Sequence, residues 1–419
     1  MIERWHLSAT LSWAVVLAVA MPAAAQQTVE LPKRDRALTG KSETVFSVGV
    51  DEGPEWEMFA SVTGVAFDAD DNLYVLDGGN ARVLVFGPDG RFVRQIGKKG
   101  GGPGELQSPM SLTVTAGGEV VVTDLGRRAF SIFDREGNFR HNVVFDMELG
   151  LPMRELYPHP KQGVLAAFNP IRIMQGPGGP PPLDSLLPIL WHPLAESEKP
   201  RRIFEAPMPI PKIEARSGGR GEIRVSRGAP PAFSPTVRWS PTPDGGVAVA
   251  CGAEYAVEIV SPTGAGVRRI ERGIAPRKVT NADKERAKEQ RRAQMRSGVG
   301  VVRVTVENGR ASVGTGGAVS EDMIRRELEN MQFADVIPVI RAVRTDAQGR
   351  LWIERTADRD PFAPGPIDLV AADGRYVGTI TGEKMPSAFS PGGLAAYIEN
   401  DPDTDIPRVI VKRLPASWR

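Results

Sequence analysis

The chain of 419 residues is poor in the groups that most often carry chemistry or cross-linking. It has one cysteine, Cys251, so no internal disulfide can form and stability has to come from burial. Cys251 stands in the apolar run VAVACG, the setting of an inert buried thiol rather than a reactive one. Histidine is scarce too. His6, His141, His159 and His192 fall on segments not expected to converge, so neither a histidine-ligated metal nor a Ser-His-Asp arrangement is expected. Neither sign of charge is in excess, with 52 Lys+Arg against 51 Asp+Glu. That argues against general nucleic-acid binding and leaves room for a local patch. Long apolar runs are missing as well. Leu11 to Met21 is apolar for only eleven residues, too short to span a bilayer. It follows a polar start with Glu3 and Arg4 and leads through Pro22 to Ala23-Ala24-Ala25-Gln26. This is the order of a secretory signal peptide over residues 1–25, cut after Ala25. The expectation is an exported chain, periplasmic or extracellular, without a transmembrane anchor.

Glycine and proline, at 45 and 36, are abundant, while the apolar fraction of 41% can still fill a core. Many tight turns account for that combination better than disorder does. Residues 62–97 split at turn residues into four short runs, VTGVAF, NLYVLD, RVLVFG and FVRQIG, rich in β-branched and aromatic side chains. The joints DADD, GGNA and PDG are turn chemistry, because Asp, Asn and Gly tolerate turn dihedrals. The pattern recurs over 109–145 and then along the chain. Aligned on the first residue of the second run, the copies start at Leu73, Val120, Val164, Val247, Leu351 and Leu394. Spacings of 47, 44, 83, 104 and 43 residues give a unit of about 45, with insertions in two of them. Four strands per unit at that period predict an all-β fold, a six-bladed β-propeller. The last unit, 387–414, is one strand short, and ETVFSVG (43–49) precedes the first. Pairing the two would close the ring over 43–414 and remove an exposed edge.

The stretches LYVLDGGNARVLVFGPDGRF (73–92), GGPGELQSP (101–109) and GEVVVTDLGRRAFSIFDREGNF (118–139) resemble NHL-type six-bladed propellers. The resemblance implies the fold. It also implies a scaffold class that includes protein-binding and ligand-binding modules, lyases and lactonase-like hydrolases with a metal or histidines at the central channel. Fold and function separate in such a class. In NHL-type repeats an aspartate at the places of Asp77 and Asp124 commonly fastens its own loop.

GKKGGGPGE (97–105) looks at first like a phosphate cradle. Its lysines precede the glycines, position six of a G-x-G-x-x-G reading is Glu105, and no helix is predicted to follow. It reads as a crossover between blades one and two. Propeller loops alternate between faces, and the long insertions at 169–185, 206–232 and 275–337 all fall on the face of that crossover. This is the expected working face. Within 276–336 a small α/β cap is predicted between blades four and five. It comprises a helix over 280–297 started by Thr280 or Asn281, a hairpin turning at Asn308-Gly309, and a helix over 320–333 capped by Ser320. Ile324, Leu328 and Met331 form one stripe on the second helix, expected to pack down onto the propeller.

On the working face the predicted loops carry Asp77, Asp124, Asp358 and Asp401. These carboxylates either bond their own loops, the favoured reading, or present oxygen ligands that would suit Ca²⁺. No EF-hand continues from them, and no cofactor is otherwise indicated. Arg154, Arg238, Arg341 and Lys384 are expected where innermost strands begin, at the channel mouth. There they either hold an anionic ligand or carboxylate-bearing peptide, or pair with the aspartates. The sequence singles out no catalytic set. It points to a binding or interaction module for a small molecule or protein at the channel mouth. The alternative is a hydrolase or lyase using a divalent cation in the channel.

Overall fold

A computed structural model of the chain describes residues 27–146, 149–169, 186–195, 198–207, 213–217, 223–227, 230–264, 267–296, 302–307, 310–315 and 320–419. The signal-peptide pattern at 1–25 and the Asn308-Gly309 turn lie outside these residues. Six four-stranded antiparallel units succeed one another. Blade one is Val62–Phe67, Leu73–Asp77, Arg82–Phe86 and Phe92–Ile96, and blade two is Pro109–Val114, Val120–Asp124, Ala129–Phe133 and Phe139–Val144. Blade three is Leu151–Pro158, Val164–Asn169, Leu186–His192 and Arg201–Pro207, and blade four is Arg238–Pro241, Val247–Ala250, Ala256–Val260 and Val267–Arg272. Blade five is Ile340–Thr345, Leu351–Arg355, Ile367–Val370 and Tyr376–Ile380. Blade six is Ala388–Phe389, Leu394–Asn400 and Pro407–Arg413, completed by Glu43–Val48 from the other end of the chain. The second strand of every blade begins at the residue on which the repeats align.

Burial follows position in the blade. In blade one every residue of Leu73–Asp77 and Arg82–Phe86 is buried, while the outer strand Phe92–Ile96 alternates. The middle strands are covered on both faces by neighbouring blades, so they read as continuous apolar runs. The outer strand meets solvent on one side and keeps a period of two. Six apolar clusters result, one at each junction between adjacent blades.

The ring closes as expected, with Glu43–Val48 antiparallel to Pro407–Arg413. Gly90, in the outer hairpin of blade one, has φ of 83°, and a Cβ there would come within 2.6 Å of the Phe46 ring. Glycine serves both the turn and the approach of the closing strand. The sequence did not reveal a fifth strand, Gln27–Leu31, which runs parallel to Val267–Arg272 and covers the outer edge of blade four. From there the chain passes a bridge between Ala37 and Thr379 of blade five before entering blade six. The segment is a strap across three blades.

Between blades four and five, helix α1 (Asn281–Arg296), the paired strands Val302–Glu307 and Arg310–Thr315, and helix α2 (Glu321–Glu329) stand where an α/β insertion was expected. Its base closes through Arg277–Lys278 paired with Val336–Ile337. Thr280 starts α1 by a reciprocal pair: Asp283 N–H donates to Thr280 Oγ1 (3.3 Å) and Thr280 N–H to Asp283 Oδ2 (2.9 Å). Ser320 Oγ accepts from Met323 N–H at the start of α2. The stripe of α2 corrects the expectation drawn from sequence. Ile324, Leu328 and Met331 pack against Met295 of α1, not onto the propeller. The two helices hold a small core of their own, sided by ion pairs Arg291–Glu327 and Arg296–Glu321, both 3.0 Å.

Candidate functional site: the channel mouth between blades three and five

Side-chain contacts bear on how the loops sort in blades one and two, whereas residues 170–185 and most of 208–229, in two of the expected insertions, lie outside the described residues. Asp77 Oδ1 accepts from Ala60 and Ser61 N–H, both at 3.1 Å, and Asp124 accepts from Gln107 (2.8 Å) and Ser108 (2.9 Å). In blades one and two the loop after the second strand therefore touches the crossover that enters the blade. Hairpins join one another on the opposite face, as in Arg135–Asp70 (2.7 Å) between blades two and one. Gly392 N–H also donates to Asp71 Oδ1 (2.8 Å) between blades six and one.

GKKGGGPGE closes on itself. Leu106 N–H donates to the Lys98 carbonyl (2.8 Å), Gly102 N–H to Glu105 Oε2 (2.7 Å), and Arg127 reaches the Gly102 and Glu105 carbonyls. Strand Pro109–Val114 follows, with no helix. Its N–H groups face its own acid, and Lys98 pairs with that same Glu105 (3.3 Å).

The eight candidate residues divide. Asp77 and Asp124 are fully buried and hold crossover backbone, and Asp77 also meets Arg82 Nε at 3.2 Å. Asp401 Oδ1 accepts from Asp403 and Thr404 N–H at 3.0 Å, and its other oxygen meets Arg408 (2.6 Å). Those backbone bonds hold its pKa below the ordinary carboxylate range. Lys384 pairs with Glu399 (2.9 Å) ahead of the innermost strand of blade six. Arg154 is exposed, in the stretch of its strand where the register shifts between Pro152 and Leu156. Asp358 lines a cavity of about 170 Å³ with Arg277, Arg355, Ile274 and Val339 at the base of the insertion. Another cavity, of about 260 Å³, opens on the opposite face between the same blades, beside Asp244 and Arg268.

Arg238 and Arg341 lie near enough for each to feel the other's charge. Arg238 lies in the field of Glu155, Arg344, Arg341 and Glu354. Solvent reaches its side chain, yet protein crowds it closely enough that burial pulls its pKa down. Arg341 Nη1 meets Glu354 Oε1 at 3.4 Å and donates to the Ala363 carbonyl. Glu354 in turn accepts from Gly365 N–H (3.1 Å). Arg344 donates to Tyr157 Oη (2.9 Å), whose ring stands edge-on to Trp239 with centroids 5.0 Å apart. Three guanidiniums from blades four and five thus face two carboxylates, one on blade three and one on blade five.

Arg344, Glu155, Glu354 and Tyr157 were not found from the sequence. The inner strand of blade five shifts register between Ile340 and Ala342, leaving Arg341 without a ladder partner. Similar shifts open the inner strands of blades one, two and three. A bulge of this kind re-aims one side chain and resets the alternation after it. A strict period of two therefore separates Arg341 from Arg344, where the structure gathers them. The only legible signal was the recurrence of charge in RAVR and RELY at equivalent inner-strand positions.

Among the described residues, no three His, Cys, Asp or Glu side chains are gathered closely enough to hold a metal ion. His141 Nε2 meets the Leu194 carbonyl (2.8 Å) and His192 Nδ1 the Pro193 carbonyl (2.9 Å). His159 packs on Trp191.

This architecture defines a six-bladed β-propeller. A family model described as "6-bladed beta-propeller" matches residues 60–174. Relatives of NHL type accompany it. The chain is 31% identical over 98 residues to human E3 ubiquitin-protein ligase NHLRC1, covering 23% of this chain and 24% of that protein. It is 31% identical over 112 residues to the rat protein, covering 26% and 27%. The chain thus spans about a quarter of the length of the curated relatives it matches. Among solved structures, a member of the duf4221 family from Bacteroides vulgatus aligns at TM-score 0.45 and 10% identity, covering 90% of this chain and 96% of that one. A streptogramin B lyase aligns at TM-score 0.40 and 9% identity, covering 88% and 97%. Among the described residues no helix is long and apolar enough to cross a membrane.

Proposed function

We propose that the protein is an exported binding module whose ligand is an anion, a carboxylate-bearing small molecule or peptide, seated at the channel mouth between blades three and five. The observation that carries this reading is the cluster of Arg238, Arg341 and Arg344, with Glu155 and Glu354 as the carboxylates beside it among the described residues. Among the described residues of the group, three cations against two anions leave one positive charge in excess. A guanidinium offers a planar fork that fits a carboxylate. Export is supported by the n-, h- and c-region order of residues 1–25. NHL-type relatives are compatible with a role in interaction.

Calorimetric titration with mono- and dicarboxylates tests the site. A carboxylate that binds the native protein should bind Arg341→Ala about 1.5–3 kcal/mol more weakly, the range for losing a charge-assisted hydrogen bond. Asp89→Lys, in an opposite-face hairpin, should leave that affinity unchanged. Equal affinity for native protein and Arg341→Ala, or no carboxylate binding at all, would remove the site. Sequencing the N-terminus of protein recovered outside the cytoplasm should find Gln26 first. An uncut chain retained inside the cell would end the export reading.

A further inference from the structure

Beside the arginine cluster the working face carries an apolar feature that the reading above does not use. Phe362, in the loop between the second and third strands of blade five, is 36% exposed. Its ring lies 5.8 Å from that of Phe233, in the crossover from blade three to blade four. Phe362 adjoins the cluster through its neighbour, and Phe233 reaches it through Phe362. Phe362 precedes Ala363, whose carbonyl accepts from Arg341, and Phe233 lies five residues before Arg238.

Phe233 is held there against its own preference. Its φ is 65°, a region that bulky side chains rarely enter. Neighbouring bonds impose it: Ala232 N–H donates to the Gln332 carbonyl (2.7 Å), Ala334 N–H to the Ala232 carbonyl (2.9 Å), and Ser234 N–H to the Pro231 carbonyl (3.0 Å). Phe362 is fixed likewise, by its N–H to Asp360 Oδ1 (3.0 Å) and a turn from Ala363 N–H to the Asp360 carbonyl (3.1 Å). A strained backbone that holds the half-buried Phe233 ring beside the exposed Phe362 ring is the kind of local cost that marks functional sites.

We infer that Phe233 and Phe362 form an apolar lip that selects, among carboxylates entering the arginine cluster, small organic acids with an aromatic or bulky apolar group. The carboxylate faces the guanidiniums and the apolar part lies against the two rings. Charge complementarity commits the polar end and ring area the apolar end. This inference rests on the anion reading of the cluster.

The test titrates phenylacetate, acetate and 2-phenylethanol into the native protein, Phe362→Ala, Phe233→Gly and Arg341→Ala. Glycine at 233 accepts the positive φ, so that variant removes the ring without disturbing the turn. The native protein should bind phenylacetate about tenfold or more above acetate, the order expected for covering a phenyl group. Both phenylalanine variants should bring that ratio toward one while acetate binding persists, and Arg341→Ala should weaken both acids. Phenylacetate binding no tighter than acetate overturns the lip and leaves the anion site standing. If 2-phenylethanol binds as tightly as phenylacetate and Arg341→Ala changes nothing, the anion reading fails and the lip remains as a neutral aromatic site. Binding of none of the three overturns both.

Discussion

The junction between blades one and two differs from that between blades four and five. At the first, the acids are occupied locally: Asp124 holds the crossover backbone, Glu105 closes the glycine loop, and the cluster between the blades is apolar throughout. At the second, a fully buried ion pair, Arg272–Asp368 (2.7 Å), sits inside the protein. Thr379 Oγ1 donates to the second oxygen of Asp368 (2.6 Å). Asp35 of the strap bridges Arg272 and Arg355, each at 2.7 Å. Burial pushes the pKa of Asp35 up, but the two guanidiniums outweigh it and hold the carboxyl below its ordinary value. The insertion, the strap, both cavities and two of the three clustered arginines meet at this irregular junction. Regular blades supply rigidity, and the exceptions to the repeat gather where a ligand would be held.

The largest effect expected concerns the ring itself. Deleting 43–49 removes a strand ladder and exposes an edge, and should cost at least about 5 kcal/mol. A truncated chain that keeps its thermal midpoint would mean that closure does not hold the ring.

The comparison sharpens in single substitutions. Asp368→Ala leaves the fully buried Arg272 with the half-exposed Asp35 as its one carboxylate among the described residues, beside the Pro32 carbonyl on Nε, and should cost about 3–5 kcal/mol. Asp124→Ala strands backbone N–H groups without stranding a buried cation, since Arg127 keeps its carbonyl partners, and should cost about 1–3 kcal/mol. Replacing Arg272 and Asp368 together by Met and Leu should recover most of the larger loss. If denaturant midpoints rank Asp124→Ala as the worse of the two, the buried pair is not what distinguishes the junctions.

A smaller effect follows pH. Hydrogen bonds from Arg277, at 2.7 and 2.9 Å, hold Asp283 far below the ordinary carboxylate pKa. Its folded value is depressed, so its contribution is complete above the unfolded value of about 4 and fades as pH falls further. Helical signal from α1 should therefore weaken below about pH 4, and Asp283→Asn should lose that dependence. An identical acid profile in the variant would place the transition elsewhere. Least of all, a Gly/Ser linker in place of 276–336 should leave the propeller folded with a nearly unchanged midpoint, because loop length alone costs little. Insoluble or unfolded protein would make the insertion part of the core.

The repeat was legible because each blade is built from local contacts. Turn residues recur at fixed offsets, the middle strands must be apolar on both faces, and the count of strands demanded a partner for Glu43–Val48. Gln27–Leu31 escaped notice because a lone five-residue strand has no hairpin turn to announce it; it forms only because the edge of blade four is open to it. The stripe of α2 was visible in the sequence, but its partner, Met295, was not, since period alone does not say what covers a face.

The fold, the order of the blades and the presence of acids and cations in their loops were legible in the chain alone. Which of those charges meet was decided only in three dimensions. Bulges reset the inner strands and bring Arg341 and Arg344 to Arg238 and Tyr157, while Asp77, Asp124 and Asp401 turn back to bond their own loops. The physical reason is range. A turn is fixed by the dihedral preferences of a few neighbouring residues, whereas a channel-wall cluster is assembled from strands about two hundred residues apart that share no local rule.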